Sequence, residues 1–138
     1  MMTTWDNALA AILGAVVGGA IGYFSASLIA RRHSFNEAAA KFRAAFHEEQ
    51  YRLQREREDV NKILDDAAYV RHVKARIEFE PYLSPGNLLA FIETWERYYL
   101  YRNHVGQNVA PGSIDVRKTE TPVASKILEE ILEFAKPR

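Results

Sequence analysis

Cysteine is absent from the 138-residue chain, and its absence removes whole classes of chemistry. Disulfide bonds, thiolate nucleophiles and zinc sites with sulfur ligands are all excluded. The common catalytic motifs are missing too, because the sequence contains no G-x-S-x-G, no H-E-x-x-H and no glycine-rich phosphate loop after a strand. We therefore expect no catalytic residue, no cofactor and no small-molecule substrate identifiable from motifs.

The four histidines lack the spacing of a metal site. A di-iron helical bundle needs Glu-x-x-His pairs, and no histidine here has a carboxylate three residues before it. The polar cluster His47–Glu49 is interpreted as a solvated helix face, because adjacent residues point in different directions on a helix. The neighbouring carboxylates of Asp65 and Asp66 are interpreted in the same way. We expect no bound metal.

Charged residues are also missing from one long stretch near the N-terminus. Between Asp6 and Arg31 the sequence has no aspartate, glutamate, lysine or arginine. As a helix rising about 1.5 Å per residue, residues 7–30 are about 36 Å long, which exceeds the ~30 Å hydrocarbon core of a bilayer. Trp5 lies where an interfacial aromatic residue is expected. We predict a single transmembrane helix over residues 7–30, followed by a helical domain over residues 31–138.

Basic residues flank only one end of this segment. Arg31 and Arg32 follow it, and no lysine or arginine precedes it. The positive-inside rule then predicts that residues 1–6 lie outside and that the C-terminal domain is cytoplasmic, with membrane lipid as a partner. A cleaved signal peptide, with Ser25–Ser27 as the cleavage site, is the alternative, and a buried core helix is a third. The signal peptide fits less well because signal peptides have a basic start and a shorter apolar run.

Small residues recur at every fourth position of the segment. The six positions are Ala10, Gly14, Gly18, Gly22, Ala26 and Ala30. Four residues advance about 400° around a helix, so these positions form one shallow stripe. A stripe without large side chains lets a second helix approach closely. We predict a packing face for another transmembrane helix, either of a second copy or of a larger membrane protein. A Gly- and Ala-rich composition without a partner is the plainer interpretation.

The rest of the sequence has helical periodicity and no alternating strand pattern. Ser34 and Glu37 form a capping box, which predicts that helix A begins at Ser34. Helix B is predicted from about Val60, with Asp59 or Asn61 as cap, to the residues before Pro81, and helix C from Ser84 and Pro85. Their expected apolar stripes are Phe35, Ala39, Phe42, Ala45, Phe46 and Leu53 in A; Val60, Ile63, Leu64, Ala67, Val70 and Ile77 in B; Leu88, Leu89, Phe91, Ile92, Trp95, Tyr98, Tyr99 and Tyr101 in C.

The last part of the chain is predicted to be a loop and a short helix. Gly106, Pro111 and Gly112 indicate a loop over residues 103–121, and Thr121–Pro122 indicates the start of helix D, over residues 122–136. We expect an all-α fold, with the transmembrane helix followed by a three- or four-helix bundle. The charges after the anchor are balanced, and the aromatic residues of helix C are interpreted as core, so no nucleic-acid partner is expected.

The sequence after the anchor resembles a group of small bacterial membrane-anchored helical proteins of unassigned function. The resemblance rests on the run RRHSFNEAAAKFRAAF from Arg31 to Phe46. It continues through a helix like Ile63–Phe79, the segment Pro81–Leu83 and an aromatic helix like Phe91–Tyr99. It covers roughly residues 31–100. The resemblance implies a bacterial inner-membrane location, and it carries no catalytic residues to this chain.

Three functions are consistent with these features. The favoured one is a non-enzymatic, membrane-anchored interaction protein, either an accessory subunit of a larger membrane complex or a homo-oligomer. The alternative is a small pore-forming or toxin-like membrane protein that uses the same glycines. The third is an enzyme whose site is formed by the helical domain together with the loop at 103–121.

Overall fold

A computed structural model describes residues 4–55, 58–107 and 116–138 of the chain. The fold is all-helical: helices make up 89% of the structure, and the described residues contain five α-helices and no strand. The elements are α1 (Thr4–Gln54), α2 (Val60–Ile63), α3 (Asp66–Phe79), a 3-10 turn (Glu80–Tyr82), α4 (Pro85–Gln107) and α5 (Val116–Glu133).

The chain divides into two compact units, and the boundary lies between Ser34 and Phe35 inside α1. Among the described side chains of the N-terminal unit, the large apolar ones are exposed. From Ile12 to Ile29 the exposed fractions of the large hydrophobic side chains lie between 55% and 73%. This part of α1 is long and apolar enough to span a membrane. No described side chain of the unit contributes to a buried core.

The C-terminal unit has an aromatic core. Phe42 and Phe46 of α1 lie one turn apart and pack against Phe79, Phe91 and Trp95 of the next helices. The fully or nearly buried apolar side chains of α5 that complete this core are Ala124, Leu128 and Ile131. The stripe predicted for helix A is buried, apart from Ala45, which is half-buried. Aromatic pairs with centroids about 4.5–7 Å apart stabilise a core beyond their buried area.

Helix A does not begin at Ser34, and that prediction is wrong. Ser34 is an exposed residue inside α1, and Glu37 forms an ion pair with Lys41 at 3.0 Å. A serine caps a helix only where its own backbone is non-helical. No glycine or proline lies between Ala30 and Ser34 to end the preceding helix, so the residues of the capping box are ordinary helical residues here.

Helix B is two helices, because the chain bends at Leu64. Leu64 has φ −95° and ψ 48°, and the Asp65 carboxylate then accepts a hydrogen bond from the Ala68 N–H at 2.8 Å, which caps α3. The break changes which of the following residues face the core. Val60, Ile63 and Leu64 are buried as predicted, whereas the other predicted stripe residues, Ala67, Val70 and Ile77, are exposed. The buried side chains of α3 are Ala68, His72 and Phe79 instead.

Helix C begins at Pro85 as predicted, with Ser84 before it, but the loop after it was predicted too long. Helix α4 continues to Gln107 and α5 starts at Val116, so residues 103–107 and 116–121 of the predicted loop are helical, and residues 108–115 lie outside the described residues. Pro122 lies inside α5. Because proline has no backbone N–H, α5 lacks one i→i−4 hydrogen bond at this position. On α4, Phe91, Trp95 and Tyr98 are buried while Leu89 is 68% exposed.

Candidate functional site

The six small residues predicted as a packing face all lie on α1. Ala10, Gly14, Gly18, Gly22, Ala26 and Ala30 are exposed, and their four-residue spacing on one helix gives the shallow stripe that was expected. A Cβ atom added to Gly14, Gly18 or Gly22 would meet no atom within 4 Å. The stripe is therefore open along its length, and a second helix can approach the α1 backbone there.

The predicted membrane-interface residues bracket this stripe along the chain. Trp5 is in the second residue position of α1, and its side chain lies outside the described part of the chain. Arg31 and Arg32 are exposed helical residues at the opposite end of the apolar segment. The charge asymmetry that the sequence indicated is thus carried by one helix, with cationic side chains only after Ala30.

A second candidate site is a polar network in the core of the C-terminal unit, which sequence analysis missed. It joins Glu49 of α1, His72 of α3 and Tyr98 of α4, whose exposed fractions are 1%, 0% and 0%. His72 Nε2 lies 3.1 Å from a Glu49 carboxylate oxygen, and His72 Nδ1 lies 2.7 Å from the Tyr98 hydroxyl. The Arg71 guanidinium donates to the other Glu49 oxygen. The Phe46 ring stacks on the imidazole with centroids 3.8 Å apart.

The ionised carboxylate fixes the direction of its hydrogen bond with His72. An ionised carboxylate can only accept, so His72 Nε2 carries a hydrogen and donates it to Glu49. Between His72 Nδ1 and Tyr98, the hydroxyl donates if the ring is neutral and accepts if the ring is protonated. Every polar atom of the imidazole and both carboxylate oxygens of Glu49 therefore have partners. A buried polar network with all partners in place stabilises a unique arrangement of its helices.

The electrostatics of the network keep Glu49 charged and Tyr98 neutral. Burial acts to raise the pKa of Glu49, but the hydrogen bond from His72, a backbone hydrogen bond and the electrostatic interactions with His72 and Arg71 together lower that pKa below its ordinary value. Burial raises the pKa of the Tyr98 phenol well above its usual range. Glutamate, histidine and tyrosine can transfer protons in enzymes, and here all three side chains are buried.

A signal for this network exists in the sequence. Glu49 continues the 4-3-4 spacing of the buried row Phe42, Phe46 and Leu53, which places its carboxylate on the core side of α1. The interpretation of His47–Glu49 as a solvated face is therefore correct for His47 and Glu48, which are exposed, and wrong for Glu49. Likewise Tyr98 continues the row of Phe91 and Trp95 on α4.

The carboxylates of Asp65 and Asp66 have separate structural roles. Asp65 caps α3, and Asp66 forms an ion pair with Arg102 of α4. Within residues 4–55, 58–107 and 116–138, no three histidine, aspartate or glutamate side chains are grouped so that they could hold a metal ion.

Comparison with known proteins adds no family or relative: no family model, curated protein or solved structure matches this chain. The resemblance of residues 31–100 to small bacterial membrane-anchored proteins stays a prediction.

Proposed function

We propose that the chain is a membrane-anchored interaction protein, in which residues 7–30 cross a bacterial inner membrane and the C-terminal unit lies in the cytoplasm. The observation that carries this proposal is the exposure of the apolar side chains from Ile12 to Ile29, none of which packs into a core. In water such a surface is costly, at about 25 cal/mol for each Å² of apolar area. In a bilayer that cost is absent, because these side chains contact lipid hydrocarbon instead of water.

The partner in this proposal is another transmembrane helix. Nine strong insertion drivers from Leu9 to Ile29, at about −0.5 kcal/mol each, give the anchor only a few kcal/mol of insertion free energy. Packing against a second helix supplies further stability, and the open stripe from Ala10 to Ala30 is the surface that allows the closest approach. The partner is a second copy or a larger membrane protein, so that the chain acts as a homo-oligomer or as an accessory subunit.

Membrane insertion is tested by expressing the full chain in bacteria and extracting membranes with alkaline carbonate. We expect the chain to remain in the membrane with its N-terminal residues intact by mass spectrometry. Protease added to inverted membrane vesicles should degrade the C-terminal unit, whose side of the membrane is then exposed. A chain shortened near Ser25–Ser27 and released in soluble form would instead establish the signal-peptide alternative.

Helix packing is tested by Gly18→Leu, which places a large side chain in the middle of the stripe. We expect a loss of about tenfold or more in self-association, or in recovery of the copurifying partner, from detergent-solubilised membranes. The matched control is Gly19→Leu. Gly19 is equally open, with no atom within 4 Å of an added Cβ, but it lies about 100° away from Gly18 around the helix. Equal effects of both variants, or no effect of either, would remove the stripe from the proposal.

The pore-forming alternative shares the same anchor and stays a prediction. It requires ion conductance across lipid vesicles that contain the purified chain, whereas the interaction protein proposed here leaves such vesicles sealed.

A further inference from the structure

Helices α3 and α4 are antiparallel neighbours in the C-terminal unit. Tyr69 of α3 lies beside Tyr99 of α4, with ring centroids 6.0 Å apart. Asp66, three residues earlier on α3, forms an ion pair with Arg102, three residues later on α4. Both pairs follow the same register, so a step forward along α3 corresponds to an equal step backward along α4.

The outer side of this helix pair is apolar and largely exposed. Val70 and Ile77 of α3 are 68% and 65% exposed, and Leu89 of α4 is 68% exposed. At 100° per residue, the apolar side chains on the outer side of each helix lie within about 80° of one another. We call this surface the α3–α4 face, and its members are Val70, Val73 and Ile77 on α3 and Leu89, Ile92 and Tyr99 on α4. Contiguous exposed apolar surface marks interaction sites in proteins.

The two edges of the α3–α4 face carry opposite charges. At the α3 edge the charged residue nearest the apolar side chains is Lys74, and at the α4 edge it is Glu93. Both are exposed, and neither belongs to an ion pair among the described residues. In the register of Tyr69 and Tyr99, Lys74 lies within one residue of the level of Glu93. Glu96 is exposed on the same side of α4, so the face is basic on α3 and acidic on α4 at that level.

We propose that the α3–α4 face binds the same face of a second copy of this chain, about a two-fold axis parallel to the helices. In that arrangement α3 of each copy packs on α4 of the other, and the apolar side chains meet in the centre. Lys74 of each copy then faces Glu93 and Glu96 of the other. A two-fold interface must be complementary to itself, and opposite charges at one level on the two edges provide that complementarity. An apolar centre with a charged rim is the usual composition of a protein interface.

The charges disfavour other ways of covering this face. A two-fold axis across the helices would bring α3 against α3 and place lysine beside lysine. An anionic lipid surface would be repelled by Glu93 and Glu96. Every residue that carries the inference lies in the C-terminal unit, so it goes beyond the transmembrane stripe proposed above. Either surface can fail its test while the other passes.

The first test measures self-association of the full chain by sedimentation equilibrium in a density-matched, non-ionic detergent. The chain carries Gly18→Leu, so that association through the transmembrane stripe is suppressed. We expect dimers, and Ile77→Glu should weaken them by about tenfold or more, because it places a charge in the apolar centre of the interface. The matched control is Val123→Glu on α5, where an apolar side chain is 46% exposed outside the α3–α4 face. That control should leave the dimer unchanged, and circular dichroism checks the fold of each variant.

The second test exchanges the charges. In the same Gly18→Leu background, Lys74→Glu and Glu93→Lys should each weaken self-association by about tenfold, because each variant reverses a contact that occurs twice in the dimer. An equimolar mixture of the two variants should recover the association, because a mixed dimer has an opposite charge at both edges. The control Lys126→Glu reverses an exposed lysine of α5 and should have no effect.

The third test locates the axis, and the absence of cysteine from the chain makes it possible. Chains with Lys74→Cys and chains with Glu93→Cys are mixed and treated with a short bismaleimide. The mixture should give a covalent mixed dimer. Chains with Lys74→Cys alone should give little, because the two α3 edges lie on opposite sides of the proposed dimer.

Four results would overturn the inference. One is a folded Gly18→Leu chain that stays monomeric up to about 100 µM, which would leave the transmembrane stripe as the only self-association surface tested. The second is association that survives Ile77→Glu unchanged. The third is a mixture of Lys74→Glu and Glu93→Lys that associates no better than either variant alone. The fourth is crosslinking of Lys74→Cys chains to one another as efficient as that of the mixture, which would contradict the two-fold axis parallel to the helices.

Discussion

The two ends of helix α1 differ in whether their large apolar side chains are buried. Between Ile12 and Ile29 the large hydrophobic side chains are exposed and none is buried. From Phe35 to Leu53 one face is buried, to 4% exposure or less at Phe35, Phe42, Phe46 and Leu53, whereas Tyr51 is exposed. The difference lies in periodicity. A helix that is apolar on every side has no preferred face to bury, whereas one apolar stripe directs a helix against a core.

The same contrast holds for charge. The first region excludes charged residues, while the second encloses Glu49 in the centre of its core. A buried charge is tolerated only when its partners are built in, and here Arg71 and His72 supply them. The first region therefore depends on its surroundings for stability, and the second depends on contacts within the chain. The predictions that follow test this division.

The largest expected effect is that of Phe46→Ala in the second region. Phe46 has no exposed surface, stacks on His72 and contacts Phe42 and Trp95. Removing the ring leaves a cavity and should lower the free energy of unfolding by about 3–5 kcal/mol. Urea unfolding in mild detergent, followed by Trp95 fluorescence in a Trp5→Phe background, measures it.

The matched variant in the first region is Phe24→Ala. Phe24 is 66% exposed and belongs to the N-terminal unit, so the unfolding free energy of the C-terminal unit should change by less than about 0.5 kcal/mol. A comparable loss in both variants would mean that the two regions do not differ in the way their burial indicates.

The next effect concerns the charge of Glu49. Because the pKa of Glu49 in the folded chain is below its ordinary value of 4.5, its contribution to stability is complete above that value and is lost as the pH falls through the lowered folded pKa. Glu49→Gln should cost about 2 kcal/mol at pH 7, because the charge-assisted hydrogen bonds from His72 and Arg71 to the carboxylate are lost. The difference in unfolding free energy between the unmodified chain and the variant should shrink below about pH 4.5.

The control for this pH dependence is Glu58→Gln. The hydrogen bond from Arg52 lowers the pKa of Glu58 as well, but Glu58 is on the surface. Its replacement should therefore leave most of the acid sensitivity in place. If Glu49→Gln and the unmodified chain lose stability in parallel from pH 7 to pH 3, the buried carboxylate is not the source of that sensitivity.

The sequence predicted the helical class and the core of α1 because apolar spacing alone determines them. The prediction was wrong where the backbone bends, because a bend changes which side chains of the next helix face the core. The bend at Leu64 moved Val70 and Ile77 to the surface, and a single uninterrupted stripe could not indicate it. Ser34 shows the converse error, since a capping pattern has no effect when the residues before it are already helical.

The buried network was missed for a different reason. The polarity of Glu49 and His72 favours exposure, whereas their register with the apolar rows of their helices places them on buried faces. Periodicity indicates which face a residue occupies, but the partners that make a buried carboxylate tolerable come from α3 and α4, more than twenty residues away along the chain. Only the tertiary arrangement brings Arg71, His72 and Tyr98 to the same point.

The smallest predicted effect tests the bend itself, through Asp65→Ala. The Asp65 carboxylate accepts from the Ala68 N–H at 2.8 Å and begins α3 in the phase that buries His72. Loss of this cap should lower the unfolding free energy by about 1 kcal/mol. Asp65→Asn keeps an acceptor at the same place and should recover most of that loss. If the asparagine variant is as unstable as the alanine variant, the contribution of Asp65 comes from its charge near the start of α3, and the cap is not what sets the phase of the helix.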